Sequence, residues 1–113
     1  MKKLQARRIA HLILSAAEEK QAEVPVILDL VKLTTIAHYF VIMHGNSDRH
    51  VKALAQHITD SLQEHKVKLF HVEGMKDGLW VLLDFGTVIA HVFYRETRDF
   101  YALERLWGEA REV

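Results

Sequence analysis

A chain of 113 residues with 15 Lys plus Arg and 15 Asp plus Glu carries no formal net charge, and half of it is hydrophobic. That suits one domain, spanning 1–113, with a real core, and it lacks the positive excess with which proteins grip nucleic-acid phosphates. The absence of cysteine excludes disulfides, thiolate chemistry and cysteine-based zinc sites.

At the N-terminus, Lys2, Lys3, Arg7 and Arg8 form a basic cluster with no acid among them. It reads as a solvated helix face, so direct RNA contact is expected to be minor or absent. Ala6, Ile9, Ala10, Ile13, Ala16 and Ala17 recur at helical spacing and predict a first helix of about four turns. Its "LILSAA" is short and runs into "EEK" rather than a cleavage site, and no apolar run approaches membrane-span length. A soluble, cytoplasmic protein is the expectation. "QAEVP" ends the helix, since Pro25 disfavours helix at Val24.

"VILDL" then reads as a short buried strand and "VKLTTIAHY" as a connector with one helical turn. The aromatic and β-branched "YFVIMHG" predicts a central strand over 39–45. From Ser47 to about Glu64 the periodicity is helical, with Val51, Leu54, Ala55, Ile58 and Leu62 on one face. "VKLFHVE" is the next strand, and "GMKDG" a turn centred on Asp77-Gly78. "LWVLLDF" and "TVIAHVFY" form a hairpin around Gly86. Phe100, Leu103, Leu106, Trp107 and Ala110 mark a C-terminal helix that opens near Arg95 to Thr97 and weakens at Gly108. The fold class that follows is α/β: a mixed β-sheet with flanking helices. Its middle β-α-β is a parallel crossover and its later strands pair antiparallel.

Chemistry-bearing motifs are few. In "GNSDRHV" a glycine precedes a helix start, as at many phosphate sites. Yet it matches neither the P-loop nor the dinucleotide fingerprint, Asp48 would repel phosphate, and Asn46 or Ser47 is explained as an N-cap. A strand ending in Gly-x-Ser inside a mixed sheet is similar to the nucleotidyltransferase fold. That chemistry requires paired carboxylates for two metal ions. "WVLLDFG" holds Asp84 alone, with leucine at 82, and whether Asp29 lies beside it depends on the fold. A degenerate nucleotide-binding protein is therefore the alternative function. The histidines at 11, 38, 44, 50, 57, 65, 71 and 91 include no i,i+4 pair, and "GNSDR" is not a nucleophile elbow. No metal, cofactor or catalytic residue is expected.

Two stretches exceed what packing demands. "LWVLLDFG" is apolar on both alternating faces, with Trp80, Leu82 and Asp84 sharing one of them. Either the strand is buried on both sides, or the Trp80 face meets another protein. In "DFYALERLW", a core-facing Phe100, Leu103 and Trp107 would leave Tyr101, Glu104 and Arg105 as an aromatic and charged patch.

Taken together, "GNSDRHV", "WVLLDFG", "VIAHVF" and "RDFYALERLW", in that order and spacing, closely resemble the ribosomal silencing factor family, also called Iojap-related proteins. The likeness covers about residues 5 to 110. It implies an α/β fold similar to nucleotidyltransferases without the catalytic carboxylate pair, and a translation repressor rather than an enzyme. Such a protein binds the large ribosomal subunit through ribosomal protein fourteen of that subunit. It blocks joining with the small subunit by steric exclusion when nutrients are short, while organelle relatives help assemble the large subunit. The partner-binding residues it implies are Trp80, Leu82 and Asp84 on the strand, with His91, Tyr101, Glu104 and Trp107 near the last helix. Asp84 and Glu104 would meet basic groups. A homodimer would cover the same apolar surface when the ribosome is absent.

Overall fold

The computed structural model describes residues 5–113, so Lys2 and Lys3 lie outside the described residues. Helix α1 (Ala6–Glu19) leads into β1 (Glu23–Asp29) and β2 (Tyr39–Gly45), followed by α2 (Asp48–Glu64). Then come β3 (His71–Glu73), β4 (Trp80–Asp84) and β5 (Val88–Tyr94). The chain closes with α3 (Arg95–Tyr101), α4 (Leu103–Leu106) and β6 (Arg111–Glu112). The six strands form one mixed sheet in the order β3-β4-β5-β2-β1-β6, in which only β2 and β5 pair in parallel.

Side-chain alternation decides the two faces. On one, Ile27, Val41, Met43, Val81, Leu83, Val88, Ala90 and Val92 pack against α1 and α2. Helix α1 offers Ile9, Ala10, Leu12, Ile13, Ala16 and Ala17, and α2 offers the five apolar residues its periodicity predicts. The opposite face carries a smaller cluster around Phe40, Ile42, Ile89 and Phe93, covered by Leu30 and Ala37 of the β1–β2 connector and by the C-terminal segment through Leu103, Trp107 and Ala110.

Strand β3 runs parallel to β2, because both are related through the antiparallel β4 and the parallel β2–β5 pair. The crossover passes over two strands instead of pairing its ends. Burial explains this. Six of seven β5 residues are buried, so β5 takes a place inside the sheet, whereas "HVE" is exposed throughout and takes the edge. The strand foreseen from Val67 shrinks to His71–Glu73, with Val67 and Leu69 packing on the core as irregular chain.

Two other local readings are corrected, and one strand is added. Helix α1 stops at Glu19, before a left-handed Gln21 (φ 58°), so Pro25 does not end it. Pro25 sits instead within β1 where the register slips between Glu23 and Val26, a bulge that tolerates its missing N–H. The C-terminal helix is two pieces, because Ala102 adopts a left-handed conformation (φ 47°). That break resets the helical phase, leaving Phe100 and Leu106 81% and 73% exposed rather than in the core. Strand β6, which no periodicity announced, pairs with β1 at Leu28 and Asp29.

Candidate functional site

The thinly roofed face of the sheet is where the distinctive side chains meet. Register places Trp80 opposite Phe93 on β5, and Leu82 opposite His91. On the other side of β5, Ile42 pairs with His91 and Phe40 with Ile89. Alternation thus gathers an aromatic row across three strands. The rings of Trp80 and Phe93 lie 4.9 Å apart between centroids, and those of Phe40 and His91 lie edge to face at 4.5 Å.

His91 is 3% exposed, and its Nδ1 accepts the Trp80 indole N–H at 3.1 Å. An acceptor Nδ1 puts the ring's single proton on Nε2, which has no partner in the cluster. Burial strips the imidazolium of hydration and pushes the His91 pKa down to about 4. The ring is therefore neutral at physiological pH and a steady acceptor for Trp80.

The C-terminal segment completes the face. Tyr101 packs on the outer side of Trp80 at 4.8 Å, Phe100 meets Tyr101 edge-on at 5.1 Å, and Trp107 meets Phe40 edge-on at 6.0 Å. Tyr101 remains 52% exposed beside the bare Phe100. Solvent-facing aromatics continuous with a half-buried tryptophan are the composition of a protein-interface centre.

Holding that segment down is Arg98, 6% exposed. Its Nε and Nη2 donate to one oxygen of Glu104 at 3.1 and 3.0 Å. Its Nη1 donates to the Val24 carbonyl at 2.8 Å and to His44 Nδ1 at 3.0 Å. His44 Nε2 in turn donates to Glu23 at 3.1 Å.

Of the residues singled out from sequence, Trp80, Leu82, His91, Tyr101 and Trp107 come together on this face. Asp84 lies on the same face at the hairpin end, where one carboxylate oxygen accepts the Gly86 N–H at 2.7 Å. Glu104 is committed to Arg98. Missed were Phe40, Phe93, His44 and Arg98. The sheet aromatics were legible as strand core. Arg98 was not, because its partner lies six positions away across a left-handed break rather than one helical turn away.

The strand-to-helix junction at Gly45 is filled by its own chain. Ser47 caps α2 by accepting the His50 N–H at 3.0 Å. The His50 ring accepts the Asn46 N–H at 3.1 Å and donates through Nε2 to the Lys20 carbonyl at 2.9 Å. A Cβ on Gly45 would stand 2.9 Å from that ring, so the glycine makes room for imidazole. Asp29 and Asp84 fall on opposite faces of the sheet, with β2 and β5 between them, and form no pair. Among the described residues, no group of three or more histidines and carboxylates could hold a metal, and no helix is long and apolar enough to cross a membrane.

Comparison with known proteins gives a consistent result. A family model described as "Ribosomal silencing factor during starvation" matches residues 3–113. Ribosomal silencing factor RsfS of Bacillus subtilis (strain 168) is 39% identical over 104 residues, covering 92% of this chain and 88% of the relative. A mouse protein named for mitochondrial assembly of the ribosomal large subunit is 35% identical over 72 residues, 61% of this chain and 32% of its own length. A crystal structure of a Chromobacterium violaceum protein superposes with a TM-score of 0.91 at 36% identity, covering 93% of this chain and 88% of that one. One from Bacillus halodurans gives 0.84 at 34% identity, covering 95% and 97%.

Proposed function

This chain belongs to the ribosomal silencing factor family, and from that premise we propose that it is a non-enzymatic translation repressor. It docks on ribosomal protein fourteen of the large subunit and blocks joining with the small subunit by occupying space, under nutrient limitation. The observation that carries this reading is Trp80, held between Phe93 and Tyr101 on the one sheet face that helices α1 and α2 leave free.

In this reading Trp80 and Leu82 supply apolar area at the centre and Tyr101 extends it. Asp84 offers a carboxylate to basic groups of the partner. Glu104 neutralises Arg98, and His91 and Trp107 support the aromatic row from beneath. When no ribosome is present, two copies cover the patch by pairing. Sedimentation with isolated large subunits tests docking, and a joining assay with added small subunits tests silencing. A folded Trp80→Ala protein is expected to lose both activities. If it still blocks joining, the assigned face is wrong.

A further inference from the structure

We propose that Arg98 is the positioning residue of this docking face and that the neutral ring of His44 keeps it in place. Mild acid then loosens the α3–α4 segment and weakens docking. The inference rests on the docking reading for its consequence, but not for its mechanism.

The guanidinium ties four elements together. It projects from α3 and reaches Glu104 on α4, the Val24 carbonyl on β1 and the His44 ring on β2. The α3–α4 segment delivers Tyr101 onto Trp80 and Trp107 onto Phe40. Without the tie, the segment would be held by Leu103, the aromatic contacts and a two-residue strand.

His44 is the component of the tie that can change state. Nδ1 accepts from Arg98, so the only ring proton sits on Nε2, facing Glu23. A second proton would land on Nδ1, where a donor already points at it from 3.0 Å. The hydrogen bond would become a contact between two N–H groups and two positive charges. The groups around His44 oppose that proton on balance. From α3, Arg98 and Arg95 face it, with Asp99 lining the same groove. From β1 comes Glu23, at the far nitrogen and partly in solvent, and across β5 lies apolar Phe93. Glu104 on α4 reaches it only through Arg98.

Burial first, then Arg98, lowers the His44 pKa, and the attraction of Glu23 does not reverse this. The sign follows. The held state is the deprotonated one, so its advantage is full above the ordinary histidine range near 6.5 and fades as pH falls below it.

The test uses the intact protein and a His44→Gln variant. Glutamine can accept from Arg98 and donate to Glu23 but does not titrate. First, amide-exchange protection of residues 99–107 and the indole N–H signals of Trp80 and Trp107 are followed on the free protein from about pH 7.5 to 5, with intrinsic exchange rates corrected. Protection of the wild-type segment should fall about tenfold for each unit separating the His44 pKa of the held and released segment, while His44→Gln stays flat. Second, the affinity for isolated large subunits is measured over the same range. The wild type should weaken in step with its lost protection, and His44→Gln should report only the ribosome's own titration.

Unchanged wild-type protection overturns the latch. Protection that falls while docking does not overturns the positioning role. Absence of docking at every pH rejects the docking reading and leaves the latch to stand on the free-protein data. Should His44→Gln not fold, the wild-type titration still decides, because the His44 ring and Tyr101 signals must move with one midpoint. Arg98→Lys, which keeps the charge but cannot span acceptors on β1, β2 and α4 at once, should show the loosened segment at all pH values.

Discussion

Replacing Trp80 by Phe keeps an aromatic ring between Phe93 and Tyr101 and would count as a mild change in an apolar core. The structure says otherwise. The indole N–H is the sole partner of His91 Nδ1, and Nε2 of the same ring already has none. Trp80→Phe therefore removes a hydrogen bond of about 1 kcal/mol and leaves both nitrogens of a buried imidazole unsatisfied. Loss of indole contact area adds about 1 kcal/mol, for a total near 2. His91→Leu loses the same bond but also removes the orphan nitrogen, and these two effects of about 1 kcal/mol each nearly cancel. In the His91→Leu background, Trp80→Phe should cost only the contact area, about 1 kcal/mol. The double-mutant cycle thus predicts a coupling of about 1 kcal/mol, measured by urea unfolding of the four proteins with circular dichroism. A coupling within about 0.3–0.5 kcal/mol of zero, the range of independent sites, would refute the claim that this bond fixes the indole.

The same histidine makes stability acid-sensitive. Its pKa of about 4 in the folded chain lies below the ordinary 6.5, so folding releases a proton. Its contribution is full above 6.5 and is lost as pH falls toward 4. At pH 4.5 the wild type should have lost roughly 2 kcal/mol more than His91→Leu, as read by urea unfolding at pH 7 and 4.5. Gly74→Ala strikes the turn that leads into β4. A Cβ there would lie 1.9 Å from the Trp80 carbonyl oxygen, at a φ of 85°. Left-handed strain and backbone overpacking together should cost at least about 2 kcal/mol, lowering the melting temperature by roughly 10 °C. Ser47→Ala removes the α2 cap and should cost about 1 kcal/mol in thermal unfolding while leaving large-subunit binding intact. A matching loss of docking would show that the junction touches the partner after all.

Period and composition were enough for the elements that bury a regular stripe. Helix α2 shows its Val51–Leu62 face in the sequence, and "YFVIMHG" and "TVIAHVFY" are too apolar and β-branched to be edge strands. Motif order and spacing carried the family resemblance without any fold. Trp80, Tyr101 and Trp107 also stood out in the sequence, because those stretches carry more aromatic and apolar surface than packing demands, whereas Phe40 and Phe93 read only as strand core. What alternation along one strand could not supply was the neighbour across the sheet. That β4 and β5 insert between β3 and β2, and so place Phe40 and Ile42 beside His91, follows from competition among strands for buried positions. Arg98 shows the same boundary more sharply. Its four partners come from residues 23–24, 44 and 104, gathered by a bulge at Pro25 and a left-handed turn at Ala102 that no local periodicity encodes. Short-range sequence determines which face of an element is apolar, since that depends only on the repeat of the backbone. Which buried polar groups find one another depends on how the elements pack, and only the tertiary structure decided it.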